Sequence, residues 1–183
     1  MATIQDWQYV LPHRKFERVL FIGENAELYE PLLSTLSRNG DKKLSIHSLR
    51  GGAKLPHKAV DLIITDSADV LNFLFKFNEL LKSGGLLFAR IKGKVFKKTQ
   101  NILDSRDWTW TSAYAAFPSF ENLWYIVSLD NRHVLAYALK NVFSSRTLLR
   151  RFILRGAGVL ASLGLTELFI TWLPCVVVIV EKR

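Results

Sequence analysis

Two carboxylates three residues apart, Asp66 and Asp69, stand between an apolar run and an amphipathic one. A carboxylate so placed can act as general base on a substrate hydroxyl while its neighbour orients the proton being removed. The same residue types also favour the amino end of a helix dipole and cap a first turn. A second set begins at Gly23 and continues with Glu24 and Asn25. Glycine lets the chain turn closely past a ligand, and a helix start beyond it offers unpaired amides. Glu24 and Asn25 equally suit capping of that helix, whose amides their side-chain oxygens can satisfy. A third set, FPSFEN at 117–122, puts Phe117, Pro118, Phe120 and Glu121 in a turn after the central strands, whose aromatics need burial and can pack as a loop.

Other chemistries lack their residues. There is no phosphate loop of the GxxxxGK[ST] type and no Ser, His and acid arrangement at a recognisable spacing, so NTPase and hydrolase readings have little support. His13, His47, His57 and His133 are scattered without the spacing of metal ligands, and Cys175 alone builds no disulfide framework. The first twenty residues show no basic stretch followed by a long apolar one, which together with the lone thiol points to the cytoplasm.

The elements that must hold these residues are legible from periodicity. With 183 residues, about half of them apolar, the chain has material for one well-buried domain. RVLFIG (18–23) and VDLIITD (60–66) are continuous apolar runs, the pattern of strands buried on both faces of a parallel sheet. LLFARIKG (86–93) is a third strand. Between them, residues 26–38 and 70–85 repeat apolar positions with helical period, the second closing at paired glycines. Alternating strand and helix predict an α/β sheet with right-handed crossovers. KKLSIHSL (42–49) reads as a further strand, 94–105 as a short helix, and 108–130 as aromatic loop residues leading into a strand at 123–129. Helices are expected over 131–143 and 146–165, and CVVVIVEKR closes as a β-branched strand.

Taken together, FIG at a strand end, DLIITD, the helix closing in LLKSGG and the strand LLFARIKG resemble the core of class I S-adenosylmethionine-dependent methyltransferases. LGLTELFITWLPCVVVIVEKR is similar to that family's last helix and antiparallel strand. The resemblance implies a Rossmann-like three-layer sandwich with a mostly parallel sheet and an antiparallel C-terminal strand. It also implies a single domain: an N-terminal extension (1–17), a Rossmann-like core (18–93) and substrate-side loops, helices and last strand (94–183). S-adenosylmethionine is the implied cofactor, in a crevice lined by Gly23, Glu24, Asn25, Asp66 and Ser67, with Glu24 as a displaced ribose acceptor. Asp66 is the implied base, and Phe117 and Glu121 the substrate contacts. The pattern departs from the family where Phe21 replaces an acid, where Gly23 stands without its companion glycines, and where the second strand ends near 48–50 without a carboxylate. The span from Gly23 to Val60 is also too short for the family's full set of elements. Three function classes therefore stand: a methyltransferase acting on a small molecule or glycan precursor, a non-catalytic binding or scaffold subunit of the same fold, and an RNA-associated basic module.

A net charge of +9 sits in clusters at 13–18, 92–98 and 146–155. Such clusters attract nucleic acid, anionic headgroups or phosphorylated small molecules. Arg146, Arg150, Arg151 and Arg155 recur near helical spacing and can meet an anionic membrane from one face. Trp108, Trp110 and Tyr114 offer stacking platforms for RNA, though no nucleic-acid-binding motif accompanies them. Residues 156–180 are long enough to cross a bilayer, yet Glu167 near their middle costs about 2.5–3.5 kcal/mol on insertion and Pro174 breaks the helix, so a core helix followed by the last strand is expected.

Overall fold

The computed structural model describes residues 4–11, 15–23, 26–38, 41–44, 60–66, 70–104, 107–118, 123–142, 148–165, 170, 171, 173 and 175–183. Three apolar runs form neighbouring parallel strands. β1 (Val19–Ile22) pairs with β3 (Val60–Thr65), and β3 with β4 (Leu81–Ile91). β2 (Asp41–Leu44) adds to the outer edge of β1, also parallel; residues 45–49 of the strand expected there lie outside the described residues. Beyond β4 come β7 (Val176–Lys182), then β5 (Trp108–Pro118) and β6 (Leu123–Ser128), each antiparallel to its neighbour. The order β2-β1-β3-β4-β7-β5-β6 leaves five of seven strands pointing one way, with β7 and β6 opposed.

Alternation along the strands feeds two cores, one per face. Val19, Phe21, Leu62, Ile64, Leu86, Phe88, Val177 and Ile179 pack with Tyr29, Leu32, Leu33 and Leu36 of α1 (Ala26–Leu36). The N-terminal 3-10 helix Ile4–Val10 joins that layer, with Trp7 fully buried and edge-on to Phe88 at 5.7 Å. Their intervening neighbours, including Leu20, Ile22, Ile63, Leu87, Ala89, Val178 and Val180, pack against the other layer. That layer holds α2 (Val70–Leu80), α3 (Phe96–Asp104), α4 (Arg132–Tyr137, continued by a π turn Ala138–Val142) and α5 (Leu148–Ser162). Helices on both faces of one sheet make the three-layer sandwich that the family resemblance implies.

Two local readings change. α2 stops at Leu80 rather than running to the glycines, because Lys182 from β7 donates its ammonium to the carbonyls of Asn78 and Leu81 (2.8 Å to the latter) and so caps the helix end. The chain then joins the sheet, slips register between the Val60–Leu81 and Leu62–Leu86 pairs, and turns at Gly84 with φ of +72°. Residues 108–118 are a strand and not an aromatic loop. Trp110 faces Val180 while Ser112 faces Ile179, so Thr111 is an inserted bulge residue that breaks the period of two. The helix expected over 146–165 spans Leu148–Ser162 and packs on α4; of its residues 155–162, Ala161 joins the core while Arg155, Val159 and Ser162 are exposed. Among the described residues no helix is long and apolar enough to cross a membrane.

Glycine substitutions separate these environments. A methyl group on Gly93 would stand 1.9 Å from the carbonyl oxygen of Ile170 and 2.7 Å from that of Leu173, backbone atoms that cannot rotate aside. Gly93→Ala is expected to cost about 3 kcal/mol by overpacking. Gly156, exposed in α5 with open space where a Cβ would stand, gains about 0.5–1 kcal/mol as alanine from helix propensity. Urea unfolding midpoints of the two variants should move in opposite directions.

Candidate functional site

The parallel strands β1, β3 and β4 end at one rim, where an open α/β sheet receives ligands. Gly23 follows β1 directly and Asp66 follows β3 directly, on strands paired through Ile22 and Thr65. The structure therefore brings the two residues together. The Asp66 carboxylate lies over the Gly23 backbone so closely that a Cβ there would be 1.9 Å from Oδ1 and 2.8 Å from the Phe21 ring. Only glycine permits that approach. At the neighbouring β4 exit the cover is of another kind. The Gly93 amide donates to the Leu173 carbonyl at 3.1 Å, and the backbone of Ile170 and Leu173 lies against its Cα. One stretch of rim is thus covered by the end of a side chain, the next by main chain.

Below the Asp66 position, α1 presents Tyr29, fully buried and with its ring 4.7 Å from Phe21. Burial, then the Asp66 carboxylate, raise the Tyr29 hydroxyl well above its ordinary value near 10, with a smaller contribution from Cys175. The Arg90 guanidinium, from the α1 face of β4, offsets part of that rise. Tyr29 is a neutral hydroxyl throughout the physiological range. Together the side chains supply a carboxylate for hydroxyl, ammonium or sulfonium groups, a guanidinium suited to a carboxylate, and a phenol between them. Patterning did not single out Tyr29 or Arg90. Tyr29 falls on the apolar face of α1, where it reads as core, but Arg90 interrupts an otherwise apolar strand, and that charge was the available signal.

Glu24, Asn25, Ser67, Asp69 and Glu121 lie outside the described residues. Phe117 stands at the carboxyl end of β5, opposite Tyr125. That end shares the rim of β1 to β4, but β5 is three strand spacings from β3, roughly 14 Å, so Phe117 is not placed beside Asp66. Among the described residues no group of His, Cys, Asp and Glu could hold a metal ion.

No family model matches the sequence, and no curated protein matches it significantly. Solved structures do. The whole chain aligns with phosphoethanolamine N-methyltransferase 2 of Haemonchus contortus, solved with phosphomonomethylethanolamine and S-adenosylhomocysteine, at a TM-score of 0.53 and 10% identity. The same enzyme solved with S-adenosyl-L-methionine aligns at 0.53 and 8% identity. The [4+2]-cyclase SpnF aligns over 98% of this chain and 80% of its own, at 0.54 and 10% identity. The fold is that of the class I methyltransferases. The chain spans 38% of the length of the Haemonchus enzyme. One of these two neighbours is named a methyltransferase and the other a cyclase, so the methyltransferase-like fold leaves the reaction to be argued from the site.

Two measurements probe this rim. Gly23→Ala should destabilise the fold by about 1–3 kcal/mol. Much of that loss should disappear in an Asp66→Ala background, and a double-mutant cycle in urea reads the coupling directly. Tyr29 gives a pH dependence. The unfolded chain ionises it near pH 10, whereas the folded chain holds it protonated beyond that. Its contribution to stability is complete below pH 10 and is lost as pH rises from there towards the raised folded value. Tyr29→Phe should flatten that alkaline limb in equilibrium unfolding.

Proposed function

We propose that this is an S-adenosylmethionine-dependent methyltransferase-like protein acting on a small molecule or glycan precursor. The observation that carries the reading is the convergence of Gly23 and Asp66 at adjacent parallel strand ends, in a fold whose aligned neighbour from Haemonchus contortus is solved with S-adenosylmethionine and S-adenosylhomocysteine. The donor set suits such a molecule. Asp66 accepts from its hydroxyl or ammonium groups and Arg90 pairs with its carboxylate, while Gly23 keeps the β1 exit narrow. When bound, the cofactor supplies an electrophilic methyl group. The chain's share of the work is then to align the acceptor with that group, which can account for much of a barrier. Asp66 takes the proton from the acceptor hydroxyl or amine. Phe117, across the rim, is assigned to the acceptor, as is Glu121.

A second reading, a non-catalytic subunit of the same fold, is favoured by the cover itself, since the Asp66 carboxylate occupies the space beside Gly23 and main chain closes over Gly93. Titration calorimetry with S-adenosylmethionine and S-adenosylhomocysteine decides between them at the level of the ligand. Saturable binding is expected, weakened about tenfold or more by Asp66→Asn through loss of a charge-assisted hydrogen bond. Silence up to millimolar ligand would reject the first reading.

A further inference from the structure

From Asn131 to Leu165 the sequence holds six Lys or Arg residues and no Asp or Glu. This segment, with α4 and α5 at its two ends, thus carries +6 of the chain's +9. The same segment concentrates exposed apolar surface. Among the described residues eight large hydrophobic side chains are exposed, and five of them (Val134, Tyr137, Val159, Leu163 and Leu165, 46–67% exposed) lie here. Scattered single exposures would need no explanation, but clustered ones do. The two helices pack closely, since a methyl group on Gly158 would stand 2.6 Å from the Lys140 side chain and 3.2 Å from the Ala136 carbonyl. Packing uses one side of each helix. Gly158 and Ala161 are buried, while Arg155, Val159, Ser162 and Leu163 fall within one exposed sector of the 3.6-residue turn. On α4, Leu135 and Ala136 are buried while Arg132, His133, Val134 and Tyr137 face solvent. The outward strip of α5 is therefore cationic at Arg155 and aliphatic at Val159 and Leu163. The α5 C-terminus is closed by Gly164 at φ of +80° and by the Leu165 amide donating to the Leu160 carbonyl at 2.8 Å, which fixes where Leu163 and Leu165 stand.

We infer that the outer face of the α4–α5 pair is a docking surface for an anionic lipid bilayer. Arg132 and Arg155 meet the headgroups, and Val134, Tyr137, Val159, Leu163 and Leu165 enter the boundary with the acyl chains. Charge complementarity selects an anionic partner, and a face whose exposed apolar side chains are aliphatic apart from Tyr137 selects lipid over nucleic acid, which would call for several stacking aromatics. The inference does not depend on methyl transfer.

The test is co-sedimentation of the full chain with vesicles of phosphatidylcholine alone or mixed with phosphatidylglycerol, over a salt series. Binding to the anionic vesicles only, falling with salt, is expected. Arg132→Gln and Arg155→Gln should each lower the partition coefficient about fivefold. Val159→Asn with Leu163→Asn should lower it further at every salt concentration. Lys98→Gln and Phe75→Asn, which remove an exposed cation and an exposed apolar group on other helices, should leave it unchanged. Should a variant fold poorly by circular dichroism, hydrogen exchange of the unaltered protein gives an independent reading, with vesicle protection expected over 132–165. The inference is overturned by absence of anionic vesicle binding at low salt, by equal loss in the control variants, by protection confined to another segment, or by binding to RNA without binding to vesicles.

Discussion

The side-by-side parallel pairing of Val19–Ile22 with Leu62–Thr65 is the constraint on which the rim depends. Both strands are apolar on both faces, so each must be covered twice, and a right-handed crossover helix is the short way to do it. Once α1 and α2 are committed to opposite faces, the strand ends are left as the place where backbone turns without a layer above it. Gly23 and Asp66 are neighbours for that reason. They are distant in sequence and occupy the first position beyond two paired strands.

The polar group below that rim follows from the same pairing. α1 must lie on the face of Phe21, Ile64 and Phe88, and this sets the Tyr29 ring against Phe21 with its hydroxyl within electrostatic reach of Asp66, Arg90 and Cys175. A buried phenol tolerates such surroundings because it stays neutral, whereas the carboxylate keeps partial exposure. The difference in burial divides the labour between a fixed neutral hydroxyl and a charge near solvent.

Much of the framework was legible in the sequence. Continuous apolar runs near 20, 63 and 88, each set off by glycine or acid, are a signal that tertiary context reinforces, and the three strands do lie parallel. The failures have physical causes. Thr111 is an extra residue in β5, and one insertion reverses the inward and outward assignment of everything beyond it, which made 108–118 read as loop. The end of α2 was overrun because Lys182, about a hundred residues away, supplies the cap. At the rim, sequence marked Gly23 and Asp66, but it gave no means of seeing that Arg90 and Tyr29, on different elements, share one polar cluster. Phe117 lies on the shared rim but three strands from β3, because the last strand inserts between β4 and β5 and pushes the hairpin outward.

That insertion has a consequence for how the chain folds. β1 to β4 and the β5–β6 hairpin touch as parts of one sheet only through Val176–Lys182, which arrives after both. Without it, β4 and β5 would each present an unpaired edge, open to mispairing with other chains. Contacts this remote in sequence carry a loop-closure cost that slows folding of the sheet as a whole. Lys182 then does more than finish a strand, since its ammonium locks the far half onto the end of a helix in the near one.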